Sequence, residues 1–182
     1  MVLTRRSFQV LSSPKIECHQ VNFDDPNSYS TYLNVDAVIC ALGTTIKKAG
    51  TQEVFRKIDY EYPLKFAQLA REAGASHFLL VTSMGSDANT RNFYLHVKGE
   101  LEDAVAVLGY PALSIFRPSL LLGPRKELRL GELISQKLLG TVSFMIPRSV
   151  RPVRASEVAS AIVDRAKLEA AGTKIVTNAE MV

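Results

Sequence analysis

The sequence predicts an α/β fold built on a doubly wound parallel sheet, and three observations support this class. Apolar runs of strand length recur along the chain with helical patterns between them, which is typical of parallel sheets made from strand, helix, strand units. Two of these runs, at 37–42 and 78–81, are continuously apolar, as expected for strands that helices cover on both faces. The chain has 182 residues, 47% of them hydrophobic and 22% charged, so a single globular domain over residues 1–182 is expected.

Six apolar runs predict the strands in chain order. The two continuously apolar runs are expected to be central in the sheet. The six runs lie at 2–4, 16–23, 37–42, 78–82, 113–116 and 174–177.

Helical patterns fill the intervals between these runs. A short helix is predicted near 26–33, and a long helical region over 51–73 is expected to kink or restart at Pro63. Apolar residues at 3.6-residue spacing predict an amphipathic helix over 93–108. A last helix is predicted to begin with Ser156 as its N-cap.

The basic residues are unevenly distributed. The net charge is +4, but the segment 117–154 holds eight basic residues against two acidic ones, or +6, which leaves −2 for the remainder. Such a segment favours an anionic ligand, and a solvated basic face is an equally open interpretation. Nucleic-acid binding is disfavoured, because no nucleic-acid motif or interleaved aromatic residues accompany the charge.

Several protein classes are excluded by motifs that the sequence lacks. The three histidines form no H-E-x-x-H pair and no serine lies in a G-x-S-x-G turn, which excludes zinc proteases and hydrolases of that type. The longest uncharged segment, 73–86, is shorter than the roughly 18 residues of a membrane span. Cys18 and Cys40 cannot form a disulfide framework, and no apolar run follows Arg5 and Arg6 to make an export signal. A cytoplasmic location is therefore expected.

Three polar residues form the strongest candidate site. Tyr94 and Lys98 are four residues apart on the 93–108 helix and so project from one face, although an exposed helical lysine is the alternative. Ser83 directly follows the run at 78–82, and open α/β sheets bind ligands at the carboxyl ends of strands. The Lys98 ammonium would favour the phenolate of Tyr94, and Ser83 would hydrogen-bond a substrate carbonyl. The arrangement predicts proton transfer timed with hydride transfer.

Four stretches of the chain form a recognisable series. They are V-D-A-V-I-C-A-L-G-T-T at 35–45, L-V-T-S-M-G at 80–85, N-F-Y-L-H-V-K-G-E at 92–100 and F-R-P-S-L-L-L-G at 116–123. In this order they resemble the atypical short-chain dehydrogenase/reductase superfamily and, more narrowly, its Tat-interactive-protein oxidoreductase group. The resemblance is clearest over 35–131. It implies an NAD(P)-binding, Rossmann-like fold.

The resemblance implies a role for each matching position. Ser83, Tyr94 and Lys98 match the catalytic serine, tyrosine and lysine of the superfamily, and a small-molecule carbonyl or alcohol is the implied substrate. The implied cofactor-binding residues are Arg5 and Arg6 at a 2′-phosphate, Asp24 and Asp25 near the adenine, Ala41, Leu42 and Gly43 in the turn that passes the cofactor, Lys98 at the nicotinamide ribose, and Pro118 and Ser119 beside the nicotinamide. The two arginines favour NADP over NAD, with a solvated chain terminus as the alternative.

The chain also departs from the superfamily pattern. Members begin with a strand, a G-x-x-G-x-x-G turn and a helix, whereas the ten glycines of this chain are never fewer than seven residues apart. This first βα unit, of roughly 25 to 30 residues, is therefore expected to be missing. In the strand order 3-2-1-4-5-6 the missing strand is central, which would leave the runs at 2–4 and 37–42 with unpaired edges. A start at an internal methionine and a true remnant with weak cofactor binding are both open explanations.

Two functional hypotheses follow. The leading one is an NADP-dependent oxidoreductase with a Ser/Tyr/Lys site and an unknown substrate. The alternative is a non-catalytic dinucleotide-binding sensor or protein-interaction module, because the glycine-rich turn is lacking. A homodimer or a protein partner stays open under both. For Asp59, Tyr60 and Tyr62, which follow the loop at Gly43, packing and a position near the cofactor are equally open.

Overall fold

The computed structural model describes residues 1–6, 14–122, 147–168 and 171–182 of the 182-residue chain. Much of the basic segment at 117–154 and the last residue of the 116–123 motif lie outside these ranges. None of the helices within the ranges has the length and apolar character that a membrane crossing requires.

Every strand pair in the described residues is parallel. The strands are β1 Val2–Thr4, β2 Cys18–Gln20, β3 Ala37–Cys40, β4 His77–Val81, β5 Ala112–Arg117, β6 Leu121–Leu122, β7 Val153–Arg154 and β8 Gly172–Thr177. β1 pairs with β2, β6 pairs with β7, and a four-stranded sheet has the order β3-β4-β5-β8. The predicted α/β class with a parallel sheet is confirmed.

The α-helices lie between these strands and at the end of the chain. They are α1 Ile46–Ala49, α2 Gln52–Arg56, α3 Tyr62–Glu72, α4 Phe93–Ala106, α5 Ala155–Ala166 and α6 Asn178–Met181. α4 is the amphipathic helix predicted at 93–108.

The helical region predicted at 51–73 is continuous but changes type. α2 passes into a π-helical turn at Lys57–Glu61, which leads into α3 with Pro63 in its first turn. Because proline has no N–H, the first turn is where a helix tolerates it. The expected interruption at Pro63 is therefore a π turn placed just before the proline.

Two predicted helix details are wrong. The helix expected at 26–33 consists of two short 3₁₀ turns, Pro26–Ser28 and Ser30–Tyr32. The N-cap of α5 is Arg154 rather than Ser156. Arg154 leaves β7 with an extended backbone, and its N–H donates to the carboxylate of Glu157 at 2.6 Å, so the helix begins before Ser156 is reached.

The four-stranded sheet has a hydrophobic core on each face. Phe78 and Leu80 of β4 belong to a core shared with α3 and α4, whereas Leu79 belongs to a second core shared with α5. Successive side chains of a strand point to opposite faces, which explains this division. Helices on both faces make β4 the buried central strand that its apolar run predicts.

β3 is an edge strand, so its predicted central position is wrong for the described residues. It pairs with β4 on one side only, and Ile39 is 49% exposed despite its apolar character. Among the described strands β1 likewise pairs with β2 alone, so within these residues both strands have the unpaired edge that was expected.

Candidate active site

A cavity of about 330 Å³ opens at the carboxyl ends of β3, β4 and β5. This is the edge at which open α/β sheets bind ligands. Eight of the predicted site residues line it: Ala41, Leu42, Gly43, Ser83, Tyr94, Lys98, Pro118 and Ser119. The structure therefore brings the three predicted catalytic residues together with two of the predicted cofactor segments.

Two backbone hydrogen bonds hold the loop that carries Ser83. The N–H of Thr82 donates to the carbonyl of Phe116 at 2.9 Å, and the N–H of Met84 donates to the carbonyl of Pro118 at 2.8 Å. These bonds tie the end of β4 to the end of β5, which keeps Ser83 and Pro118 at the same cavity. The one contact of the Ser83 hydroxyl among the described residues is a long one, 3.5 Å, to the Met84 carbonyl, so it is available to a ligand.

α4 presents Tyr94 and Lys98 to the cavity one helical turn apart. Asn92 is the N-cap of this helix, and its side-chain oxygen accepts the backbone N–H of Leu95 in the first turn at 3.2 Å. Gly99 lets the helix approach the preceding loop, because a Cβ there would lie 2.2 Å from the backbone nitrogen of Ala88. Capping and close packing together fix the direction in which the tyrosine and the lysine project.

The Lys98 ammonium is paired with a buried carboxylate. Lys98 Nζ lies 2.7 Å from Asp59 Oδ1, and the two residues are only 3% and 1% exposed. Within the part of the chain that the structure describes, that oxygen has no hydrogen bond of good geometry, and the contact is an ion pair. The other carboxylate oxygen accepts the N–H of Thr44 at 2.8 Å. Asp59 also lines the cavity, so the structure places it beside the predicted catalytic lysine.

The loop after β3 covers this ion pair. A Cβ at Gly43 would lie 3.1 Å from Asp59 Oδ1 and 3.6 Å from Lys98 Nζ, so a larger residue would press on both. Burial raises the pKa of Asp59, while the Lys98 charge and the Thr44 N–H act in the opposite direction. The carboxylate compensates the lysine charge where little water can do so.

Two predicted adenine-side residues lie outside the lining of this cavity. Asp24 Oδ1 is 2.6 Å from Lys57 Nζ and accepts the Tyr62 hydroxyl at 2.8 Å. The hydrogen bond from Lys57 lowers the pKa of Asp24. Asp25 caps the 3₁₀ turn at Pro26–Ser28 by accepting a backbone N–H. Both carboxylates thus have partners within the chain.

Arg5 and Arg6 are also outside the cavity lining, exposed at the end of β1. The Arg5 carbonyl accepts the side-chain amide of Gln20 at 3.4 Å, and the Arg6 carbonyl accepts the Thr4 hydroxyl at 2.8 Å. The backbone is tied down there while the guanidinium groups remain at the surface. Their role at a 2′-phosphate stays a prediction.

A family-level comparison places the chain among known proteins. The family profile described as HIM1 matches residues 8–147. The chain belongs to the HIM1 family. Its relatives include Protein HTATIP2 of Rattus norvegicus, 41% identical over 123 residues that cover 67% of this chain and 50% of that protein. Protein FMP52, mitochondrial, of Candida albicans is 39% identical over 140 residues, covering 76% of this chain and 61% of that protein.

The resemblance to the Tat-interactive-protein group is confirmed by this membership. The chain spans only about half to three fifths of the length of these two relatives. The predicted cytoplasmic location is wrong, because the fungal relatives from Candida albicans and Emericella nidulans are named mitochondrial proteins.

Solved structures confirm the Rossmann-like fold. MoeE5 in complex with UDP-glucuronic acid and NAD has a TM-score of 0.72 and 15% identity, covering 96% of this chain and 66% of that one. The dTDP-4-dehydrorhamnose reductase of Bacillus anthracis in complex with NADP has a TM-score of 0.65 and 13% identity, covering 90% and 65%. At these identities the likeness concerns the fold alone.

Proposed function

We propose that this chain carries the nicotinamide side of an NAD(P)-dependent oxidoreductase of the short-chain dehydrogenase/reductase type. NADP is the preferred cofactor, and the substrate is a small-molecule carbonyl or alcohol. The observation that carries this proposal is the convergence of Ser83, Tyr94 and Lys98 in one cavity, between the segments 41–43 and 118–119. The fold shared with proteins solved in complex with NAD or NADP supports it.

The residues around the cavity suit the nicotinamide half of such a cofactor. A volume of about 330 Å³ lies in the range of small-ligand sites. The Lys98 ammonium carries three N–H groups, and its ion pair with Asp59 leaves it donors that can reach ribose hydroxyls or the Tyr94 oxygen. The sequence contains no glycine-rich turn for the pyrophosphate, so only the nicotinamide half is assigned to this cavity.

Each side chain has a distinct task in the proposed reaction. A nicotinamide cofactor bound in this cavity would supply or accept the hydride. Tyr94 exchanges a proton with the substrate oxygen, and the Ser83 hydroxyl hydrogen-bonds that same oxygen to orient it. The Lys98 ammonium stabilises the phenolate form of Tyr94, and Asp59 holds the ammonium charged and in place.

The test is NADPH oxidation with a broad panel of carbonyl compounds, followed by absorbance. Tyr94→Phe should lower the turnover number by roughly 100-fold to 10,000-fold, because it removes the group that transfers the proton. Tyr60→Phe is the matched control, since Tyr60 contacts the Arg56 guanidinium and does not line the cavity. Equal rates for Tyr94→Phe and the wild type would overturn the catalytic assignment.

A second candidate is a dinucleotide-binding sensor or interaction module without turnover. This function requires only the fold shared with proteins solved in complex with NAD or NADP. Calorimetric titration with NADPH distinguishes the two: binding without oxidation by any carbonyl of the panel supports the sensor, and binding with turnover supports the enzyme.

The mitochondrial names of the fungal relatives lead us to propose a mitochondrial location for this protein as well. Fractionation of cells that express a tagged copy tests this. Recovery with mitochondrial markers is the expected result, and recovery with a cytosolic marker would contradict it.

A further inference from the structure

A buried carboxylate on α4 lies behind the cavity that holds Ser83, Tyr94 and Lys98. Glu102 is 4% exposed and is not among the described residues that line that cavity. It follows Lys98 by four residues and Tyr94 by eight, so it projects from the same side of the helix. A buried glutamate needs partners, and those of Glu102 lie at the ends of two strands.

The first partner of Glu102 is the residue that follows β4. The Thr82 hydroxyl donates to Glu102 Oε1 at 2.5 Å and lies 3.3 Å from the Phe116 carbonyl. Thr82 is itself 7% exposed, and its N–H donates to that same carbonyl at 2.9 Å. Thr82 is therefore fixed to α4 through its side chain and to β5 through its backbone. The next residue in the chain is Ser83.

The second partner of Glu102 is an arginine at the end of β5. Arg117 Nε lies 3.2 Å from Glu102 Oε1 and 3.1 Å from Glu102 Oε2, and Arg117 Nη2 also contacts Oε2. A guanidinium and a carboxylate favour such a fork, which restricts the orientation of both groups. The residue after Arg117 is Pro118, on the wall of the cavity.

Glu102 thus joins three segments around the cavity: α4, the loop after β4 and the segment after β5. In the proposed reaction the Ser83 hydroxyl and the Tyr94 oxygen must reach the same substrate oxygen, so the relative placement of their two segments strongly affects the rate. We propose that Glu102 is a positioning residue for this reaction, because through the Thr82 hydroxyl it sets the place of Ser83 relative to α4. This inference rests on the proposed function.

The test measures NADPH oxidation with the carbonyl panel and determines kcat and the KM for NADPH separately. Glu102→Ala removes the acceptor of the Thr82 hydroxyl and should lower kcat about 10-fold to 100-fold, because Ser83 is no longer held against α4. The KM for NADPH should change less than about threefold, because the variant removes no group of the cavity wall. Glu102→Gln keeps a hydrogen-bonding group toward Thr82 and should restore kcat to within about threefold of the wild type.

Glu100→Ala is the matched control. Glu100 lies on the same helix and also pairs with an arginine, but its partner is Arg56 of α2, and the two side chains are 29% and 38% exposed. Glu100→Ala should keep kcat within about twofold of the wild type, because an exposed pair contributes little. A role of Glu102 in folding alone would lower the melting temperature of Glu102→Ala and leave kcat below that temperature unchanged. That result would overturn the proposal.

Thr82→Val tests the same contact from its other side and decides the matter should Glu102→Ala fail to fold. It keeps the size of the side chain and the backbone N–H but removes the hydroxyl, so kcat should fall, and Thr82→Ser should restore it. The double variant Thr82→Val with Glu102→Ala should be no slower than Glu102→Ala, because both changes break one hydrogen bond. Additive losses of kcat, or no recovery in Thr82→Ser, would overturn the proposal.

Amide exchange separates this inference from the proposed function. The N–H of Met84, which bonds to the Pro118 carbonyl, should exchange about tenfold faster in Thr82→Val, while Val97 inside α4 keeps its rate. Faster exchange at Met84, in a protein whose wild type oxidises no NADPH, would refute the proposed function and still support the hold of Glu102 on this loop. Unchanged exchange at Met84 would overturn the positioning, whatever the rate of turnover.

Discussion

Removing the charge of Asp59 should destabilise the fold by about 3 to 5 kcal/mol, because Lys98 would be left as a buried charge without a counter-ion. With exposures of 1% and 3%, neither side chain is screened by water. Asp59→Asn keeps an oxygen that can accept the Thr44 N–H. The unfolding free energy that this variant loses therefore measures the effect of the charge alone. Asp59→Ala also loses that bond and should cost about 1 to 3 kcal/mol more. Urea unfolding measures both as a lower midpoint at constant m value.

The double variant Asp59→Asn with Lys98→Met provides the control. Without the ammonium, the additional cost of Asp59→Asn should fall below about 1 kcal/mol, because no unpaired charge remains. Equal costs of Asp59→Asn in the presence and absence of Lys98 would refute the reasoning. So would a cost below about 1 kcal/mol in the otherwise wild-type protein.

Three further outcomes are expected. Gly99→Ala places a Cβ 2.2 Å from a backbone nitrogen of the facing loop and should cost at least about 1 to 3 kcal/mol, so an unchanged melting temperature would contradict the packing of α4. The hydrogen bond from Lys174 lowers the pKa of Glu180 to about 2 from 4.5. The contribution of Glu180 to the stability of the fold is therefore complete above pH 4.5 and is lost as the pH falls toward 2. Glu180→Gln should flatten that part of the acid unfolding curve, and an unaltered curve would count against the ion pair. Burial raises the pKa of the Cys40 thiol to about 11, so iodoacetamide at mildly alkaline pH should modify exposed Cys18 much faster, as peptide mass mapping would show.

Local sequence signals were sufficient to bring together most of the candidate site. Ser83 directly follows the run at 78–82, and Tyr94 and Lys98 share one helix face through their spacing alone. These relations depend on neighbours within a few residues, which a pattern of periodicity captures. The structure places all three at one cavity, as the pattern predicts.

Asp59 could not be assigned in the same way. It lies in the π turn Lys57–Glu61, whose wider turn changes the direction in which side chains project, and nothing in the 3.6-residue pattern indicates such a turn. Its partner, Lys98, is far along the chain, so the pairing depends on tertiary packing. Its position after the loop at Gly43 was the visible signal, and it left packing and a place near the cofactor equally open.

The position of β3 shows a second limit. Its apolar run resembles that of β4, yet β4 is buried between two strands and β3 lies at an edge with Ile39 half exposed. An apolar composition indicates that a strand suits a buried environment. It does not indicate which neighbouring strand or helix buries it. The wrong expectation of a cytoplasmic location has a similar origin. A low cysteine content indicates a reducing environment but does not identify the compartment in which the protein lies.

A crystal structure with NADPH tests the central claim most directly. The account predicts the nicotinamide ring in the cavity at the ends of β3, β4 and β5, with its ribose at Lys98 and the ring beside the hydroxyls of Ser83 and Tyr94. Density for the cofactor at any other surface of the protein, with this cavity empty, would contradict it.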